Sequence, residues 1–145
     1  VREEANEFLA KAGATVITLV EAKDAGLFPR VYDLMEETRR TTFDDPATEW
    51  GFDNFKQTML NTVDMNSGFV ALIDGEPVAI SYLLKFVTDG VADHGWTGVA
   101  NAHRGKGLAK ALKKLTIAAA IEKGCSAITT NSHSRNEPLR PLPAQ

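Results

Sequence analysis

The sequence predicts one α/β domain whose central sheet is mixed and mostly antiparallel, with helices on its faces. Two apolar runs, residues 69–73 and 78–86, flank Asp74-Gly75, the two-residue turn typical of a β-hairpin. Further on, residues 94–99 and 126–130 are predicted strands that enclose a long amphipathic helix. Such a β-α-β crossover places its two strands parallel, whereas the hairpin is antiparallel, so the predicted sheet is mixed.

The remaining segments complete the order α-β-α-α-β-β-β-α-β. Apolar residues at helical spacing predict four helices, over residues 1–13, 27–40, 52–63 and 105–122. The β-branched run 15–20 predicts the first strand, and the turn residues around Pro46 predict a loop over residues 41–51. Prolines exclude residues 138–145 from any central strand.

Composition narrows the class of protein. A chain of 145 residues, 43% apolar and 24% charged, is large enough to bury a core, and its net charge of −3 argues against a nucleic-acid partner. Its single cysteine permits no internal disulfide and fits a reducing compartment. The apolar runs are far shorter than the ~20 residues of a membrane span, and no signal peptide is evident. We therefore predict a cytoplasmic protein with no membrane partner.

A basic glycine loop precedes the longest helix. It consists of Arg104-Gly105-Lys106-Gly107-Leu108-Ala109, and three further lysines follow by residue 114. The first amides of a helix lack internal partners and lie at the positive end of its dipole, and glycines let an anion approach the backbone closely. A solvated helix face explains Lys110 and Lys114 equally well. The loop predicts a phosphate site.

Two common phosphate motifs fail here. A Walker-type loop requires Ser or Thr after Gly-Lys, but Gly107 follows Lys106. The dinucleotide fingerprint requires a glycine at position 110, which is Lys110. A third phosphate motif, Arg/Gln-x-x-Gly-x-Gly/Ala, is present at residues 104–109. With this motif the sequence resembles the GNAT superfamily of acyl-CoA-dependent N-acyltransferases. Val99 ends the preceding strand five residues before Arg104, and an Asn-rich segment follows the next strand, which agrees with the resemblance.

The resemblance implies acetyl-CoA (coenzyme A) as the cofactor, with no metal. The residues that would bind it are Val99, Ala100, Arg104, Gly105, Lys106, Gly107, Leu108, Ala109, Asn131 and Asn136. In this arrangement the loop amides hold the pyrophosphate, and the backbone near Val99 and Ala100 bonds the pantetheine arm and polarises the thioester. For Asn131 the alternative is a turn or cap residue, and for Gly107 it is a simple helix-entry turn.

The implied function is transfer of an acetyl group from acetyl-CoA to an amine acceptor, either a small molecule or a peptide amine. The alternative is a catalytically inactive acyl-CoA-binding or sensing domain. Asp93, six residues before Val99, is the first candidate for a general base, and His94 is the second. Strand periodicity predicts that residues 93, 95, 97 and 99 share one face, although Asp93 could equally be a turn residue. The tyrosine acid of the family has no counterpart after Asn136.

The acceptor site of the family includes the loop between its first two helices. In this sequence that loop holds three acidic residues and one aromatic residue, namely Asp44, Asp45, Glu49 and Trp50. Acidic and aromatic groups suit a cationic amine, although a surface turn explains them as well.

The predicted organisation is a single acetyltransferase-like domain, residues 1–145, with its core at 15–136 and an irregular tail at 137–145. The last helix and β-hairpin of the family are lacking, which suggests truncation or one part of a tandem member. Residues 1–14 would be the tail of a preceding unit or a replacement helix. The edge of strand 126–130 would then be exposed unless another segment covers it, which favours a homodimer.

Overall fold

A six-stranded sheet in the order β1-β2-β3-β4-β5-β6 forms the centre of the protein. The computed structural model describes residues 2–43, 51–129 and 136–138. The strands are β1 Thr15–Thr18, β2 Val63–Ile73, β3 Glu76–Thr88, β4 Val91–Val99, β5 Ala127–Thr129 and β6 Asn136–Pro138. Neighbouring strands are antiparallel except β4 and β5, which are parallel. The predicted mixed, mostly antiparallel sheet is therefore confirmed.

Five helices accompany the sheet in the described part of the chain. They are α1 Arg2–Lys11, α2 Leu19–Asp24, α3 Phe28–Phe43, α4 Phe52–Asn61 and α5 Leu108–Glu122, with a 3-10 turn at Asn101–His103. The four predicted helices are confirmed within a few residues at each end. The loop predicted from residue 41 is wrong at its start, because residues 41–43 continue α3, and residues 44–50 lie outside the described residues.

The prediction missed α2, which replaces the end of the first predicted strand. The Thr18 side chain accepts a hydrogen bond from the Glu21 amide at 3.1 Å, and the Glu21 carboxylate accepts one from the Thr18 amide at 2.8 Å. This reciprocal capping box satisfies two amides at the helix start. Leu19 is therefore helical, and β1 ends at Thr18.

Helices cover both faces of the sheet. On one side, which we call the α5 face, Ala5 and Leu9 of α1 are 2% and 1% exposed and share a core with Leu108 and Leu112 of α5. On the other side, the α3 face, helices α2, α3 and α4 pack on β2 and β3 through a second apolar core. Helix α1 is therefore part of the core of this chain.

The edge of β5 is covered by β6. The two strands pair antiparallel, from Ala127↔Pro138 to Thr129↔Asn136. Residues 137 and 138, placed by the sequence in an irregular tail, thus belong to a strand. Because β6 is the last strand in the sheet order, Pro138 occupies an edge strand, where a missing amide donor is tolerated.

A β-bulge in β4 changes which residues share a face. Pairing with β3 passes from Tyr82↔Trp96 to Leu83↔His94, so Gly95 is one residue extra. A Cβ atom at Gly95 would lie 2.2 Å from Cε1 of Tyr82, and only glycine permits this approach. The bulge places His94 on the α5 face together with Thr97, and Asp93 on the α3 face. The predicted common face for residues 93, 95, 97 and 99 is therefore wrong.

An ion pair ties the end of α5 to β2 and provides a stability test. Lys123 Nζ lies 2.5 Å from Oδ2 of Asp64. Burial alone would raise the pKa of Asp64, but the hydrogen bond and charge of Lys123, with hydrogen bonds from Ser67 and Asn66, outweigh it and hold the pKa below its ordinary value. A lowered carboxyl pKa contributes stability that is present near neutral pH and is lost as pH falls through that pKa.

We expect Lys123→Met to lower the free energy of unfolding by about 1 kcal/mol at pH 7. The difference from wild type should shrink as pH falls below the ordinary carboxyl pKa of 3.8 and through the lowered pKa of Asp64. Urea denaturation between pH 7 and pH 3 measures both effects, and Lys113→Met, in the middle of α5, is the matched control. If the difference in the free energy of unfolding stays constant with pH, the Lys123–Asp64 ion pair is not its cause.

Candidate functional site

The parallel strands β4 and β5 pair over a short stretch of the described residues. Their pairing runs from Val91↔Ala127 to Asp93↔Thr129, and β4 continues to Val99. The amide of Ala100 donates to Val78 O at 2.8 Å, and alternate residues of an antiparallel ladder face opposite neighbours. The peptide groups of Thr97 and Val99 therefore face away from β3. At about 3.3 Å per residue, the part of β4 from residue 94 to residue 99 is about 17 Å long.

A cleft lies between the end of β4 and the start of α5. The volume of the cleft is about 420 Å³. Its lining residues are Thr38, Thr97, Gly98, Val99, His103, Arg104, Gly105, Gly107, Leu108, Ala109 and Lys110. The cleft thus joins an extended backbone edge to a helix N-terminus.

The start of α5 presents amide donors to the cleft. Gly107 is the N-cap, with φ +78 and no side-chain cap, and Gly105 also has a left-handed backbone, with φ +82. The first helical hydrogen bond runs from the Ala111 amide to Gly107 O, at 3.1 Å. The amides of residues 108–110 therefore have no partner within the helix. Glycines at both left-handed positions make this compact, anion-binding geometry accessible.

Positive side chains surround these amides. Arg104 and Lys110 line the cleft, whereas Lys106 does not, since its Nζ lies 3.0 Å from Nδ1 of His103. His103 itself lines the cleft. Lys106, a predicted cofactor-binding residue, thus contacts the cleft wall through His103.

The structure brings together most of the predicted cofactor-binding residues. Six of them line the cleft, namely Val99, Arg104, Gly105, Gly107, Leu108 and Ala109. The amide of Ala100, expected to bond the pantetheine arm, is already donated to Val78 O, as described above. Asn131 lies outside the described residues, and Asn136 begins β6, beside Thr129.

Sequence reasoning missed Thr38, which α3 brings to the cleft wall. Its Oγ1 accepts a hydrogen bond from Trp96 Nε1 at 3.0 Å and donates to Met35 O at 2.9 Å. A Cβ atom at Gly98 would lie 2.7 Å from Cγ2 of Thr38. A glycine within a strand is a sequence signal of such close approach, but it does not identify the partner. Thr97, His103 and Lys110 were also missed, although they flank the predicted loop.

The two candidate bases lie on opposite faces of β4. Asp93 is exposed on β4 opposite Thr129 of β5, and its Oδ1 accepts a hydrogen bond from Thr129 Oγ1 at 3.0 Å. His94 is 7% exposed on the α5 face, with Nε2 at 3.1 Å from Ser81 Oγ and 2.8 Å from Thr97 Oγ1. Asp93 is therefore open to a substrate, whereas His94 is linked to the cleft through Thr97.

The predicted acceptor residues, Asp44, Asp45, Glu49 and Trp50, lie outside the described residues. No helix within residues 2–43, 51–129 and 136–138 is long and apolar enough to cross a membrane. In the same part of the chain, no group of three or more His, Cys, Asp or Glu side chains forms a candidate metal site.

The mixed sheet, its parallel pair β4 and β5 and the glycine-initiated helix together define a GNAT-like α/β fold. The chain belongs to the acetyltransferase (GNAT) family, whose model matches residues 28–143. None of the curated proteins matches it. Helices α1 and α2 and strand β1 precede the matched region.

Solved structures show the same fold at low sequence identity. The ribosomal-protein-S18-alanine N-acetyltransferase from Escherichia coli has a TM-score of 0.59 and 16% identity, over 79% of this chain and 64% of that one. A GCN5-related N-acetyltransferase from Sphaerobacter thermophilus has a TM-score of 0.59 and 23% identity, over 77% and 33%. A GNAT family acetyltransferase from Brucella melitensis in complex with acetyl-CoA has a TM-score of 0.62 and 12% identity, over 83% and 78%. This chain thus spans less than two thirds of the first two.

Proposed function

We propose that the chain binds acetyl-CoA in the cleft and transfers its acetyl group to an amine acceptor. One observation carries the proposal: a single cleft joins the end of β4, where the peptide groups of Thr97 and Val99 face away from β3, to the uncapped N-terminus of α5. An extended arm that contains amides can bond to such an edge as an added strand, and a pyrophosphate suits the free amides of a helix start. The acetyl-CoA complex of the Brucella relative supports the same ligand.

This placement sets the order of the ligand along the site. The pyrophosphate lies at residues 105–110, between Arg104 and Lys110, and the pantetheine arm runs along β4 toward residue 94. The thioester then lies near Asp93 and Thr129, which are paired across β4 and β5. Backbone amides at the bulge are suited to polarise its carbonyl group.

Acetyl transfer then follows ordinary acyl chemistry. The neutral amine attacks the thioester carbon, a C–N bond forms and the C–S bond breaks, and the thiolate of CoA leaves. The amine must lose a proton, and we assign its acceptance to Asp93, which is exposed on β4. His94 is buried and bonded to Ser81 and Thr97, so its role in this scheme is to position Thr97 in the cleft wall.

Two successive measurements, one of binding and one of activity, test the proposal. Isothermal titration of the purified chain with acetyl-CoA should show saturable binding that weakens as salt rises, because phosphates are bound by cations. A thiol-detection assay should then show CoA release with at least one member of a panel of small amines and peptide N-termini. No binding at millimolar acetyl-CoA would overturn the proposal. Binding without thiol release for any acceptor would identify an inactive acyl-CoA-binding domain instead.

A further inference from the structure

Three polar side chains form a cluster on the α5 face of β3 and β4, next to the cleft. Thr97 Oγ1 lies 2.8 Å from Ser81 Oγ and 2.8 Å from His94 Nε2, and the last two atoms are 3.1 Å apart. Ser81 is fully buried and His94 is 7% exposed, whereas Thr97 is half-buried and lines the cleft. Thr97 is therefore the member through which this cluster can reach a ligand.

The cluster interrupts a row of apolar residues. Ala79 and Leu83, two residues before and after Ser81 on β3, are fully buried on the same face. A buried imidazole or hydroxyl group is costly unless it is hydrogen-bonded. The three side chains satisfy one another, and in the described ranges every fully buried side-chain nitrogen or oxygen has a partner. A purely structural cluster would not need its third member in the wall of the cleft.

The number of protons in the cluster decides what Thr97 can offer to a ligand. Each hydroxyl group supplies one proton, and His94 Nε2 either carries a proton or accepts one. If Nε2 is bare, Thr97 donates to it and Ser81 donates to Thr97, so both hydroxyl protons are used inside the cluster. If Nε2 carries a proton, His94 and Ser81 both donate to Thr97 Oγ1. The two lone pairs of that oxygen are then occupied, and its own proton is left for the cleft.

The rest of the cleft favours the second arrangement. Its wall supplies hydrogen-bond donors, namely the free amides of residues 108–110 and the cationic groups of Arg104 and Lys110. Such a lining suits a ligand that is rich in acceptor oxygens, and acetyl-CoA carries them in its phosphates, its amide carbonyls and its thioester. A Thr97 hydroxyl that donates continues this set of donors from the helix start along β4.

We propose that Thr97 donates a hydrogen bond to an amide carbonyl of the pantetheine arm, and that Ser81 and His94 are positioning residues which hold the Thr97 proton toward the cleft. His94 acts in its Nε2–H form. The inference rests on the proposed function, because the arm runs along β4 in that scheme. It gives the buried imidazole a function in ligand recognition that is separate from proton transfer.

Isosteric variants of Thr97 test the contact by isothermal titration. Thr97→Val keeps the shape of the side chain and removes the hydroxyl, so acetyl-CoA should bind about 5-fold more weakly, as expected for the loss of one neutral hydrogen bond. Thr97→Ser keeps the hydroxyl and should restore binding. Adenosine 3′,5′-bisphosphate, which has phosphates but no pantetheine arm, should bind wild type and Thr97→Val equally well.

Thr116→Val is the matched control for the loss of a buried threonine hydroxyl. Thr116 is fully buried in α5, and its Oγ1 donates to Lys113 O at 2.7 Å. Because Thr116 does not line the cleft, this variant should bind acetyl-CoA like wild type. Thermal denaturation of each variant verifies that it is folded.

A double-mutant cycle tests the role of His94. His94→Gln places an amide N–H near the position of Nε2, whereas the shorter side chain of His94→Asn places its amide near the position of Nδ1. His94→Gln should bind acetyl-CoA like wild type. His94→Asn should bind it about 3-fold more weakly than wild type, but should cause no further loss in the Thr97→Val background. A merely structural His94 would lower the affinity by the same factor in both backgrounds.

The possible outcomes separate this inference from the proposed function. If wild type binds acetyl-CoA and Thr97→Val binds it equally well, Thr97 does not contact the ligand and the proposed function stands. An equal loss of affinity for adenosine 3′,5′-bisphosphate would place the hydroxyl at a phosphate and overturn its assignment to the arm. Additive effects of His94→Asn and Thr97→Val would overturn the role of His94. If wild type does not bind acetyl-CoA, both proposals are overturned.

Discussion

Replacing Gly107 by Glu is expected to abolish acetyl-CoA binding, with a loss of at least about 100-fold, since like charges in direct contact cost several kcal/mol. The new carboxylate would stand at the helix start that we assign to the pyrophosphate. Gly107 also has φ +78, a conformation that side chains disfavour, and a Cβ atom there would meet the Phe8 ring. Isothermal titration measures the loss directly.

Gly124→Glu is the matched control for this variant. Gly124 has φ +85, follows the other end of α5, and has nothing within 4 Å of an added Cβ atom. Gly124→Glu therefore causes similar backbone strain and adds the same charge as Gly107→Glu. Its added charge lies about 20 Å from the cleft. We expect Gly124→Glu to bind acetyl-CoA with an affinity within about 2-fold of wild type, because surface substitutions away from a site usually have small effects. Retention of full affinity by Gly107→Glu would show that the loop does not hold the phosphates.

Replacing Asp93 by Asn is expected to lower kcat by about 10²- to 10⁴-fold, the range that a general base contributes. Asn keeps the shape of the side chain and can still accept the hydrogen bond from Thr129 Oγ1, which is 3.0 Å long. Acetyl-CoA affinity should therefore remain unchanged. Steady-state thiol release, with an acceptor found in the amine panel, measures kcat, and titration measures affinity.

Asp89→Asn provides the control for the loss of a carboxylate near β4. Asp89 lies in the preceding turn with φ +53, a conformation that Asn tolerates well. The kcat of Asp89→Asn should match that of wild type. If Asp93→Asn retains most of its activity, proton transfer does not depend on Asp93. A large loss of kcat in His94→Gln and Thr97→Val would then assign proton transfer to buried His94 and its half-buried partner Thr97.

Local signals in the sequence were sufficient for much of the fold. The hairpin at Asp74-Gly75 was predicted from two residues, and both adopt left-handed backbones, with φ 54 and 79. The amphipathic α5 and its glycine loop were predicted for the same reason, since helix spacing and glycine conformations are properties of neighbouring residues. Even the missed α2 had a local signal, the Thr18-x-x-Glu21 capping box.

Features that depend on distant segments were not predictable in this way. The bulge at Gly95 follows from how β4 meets Tyr82 of β3, and it moved Asp93 to the face opposite Thr97. Pairing of β6 with β5 depends on chain that follows β5 and could not be inferred from proline content. The approach of Thr38 to Gly98 joins residues 60 positions apart in sequence.

The glycine loop at the start of α5 follows from local sequence, because left-handed glycines and free helix amides depend only on neighbouring residues. The surroundings of that loop depend on contacts between distant segments. The register of β4 against β3 sets which face each candidate base occupies, and α3 brings Thr38 to the cleft wall. The packing of α1 against α5 brought Phe8 to Gly107, since contacts between remote segments depend on the whole core.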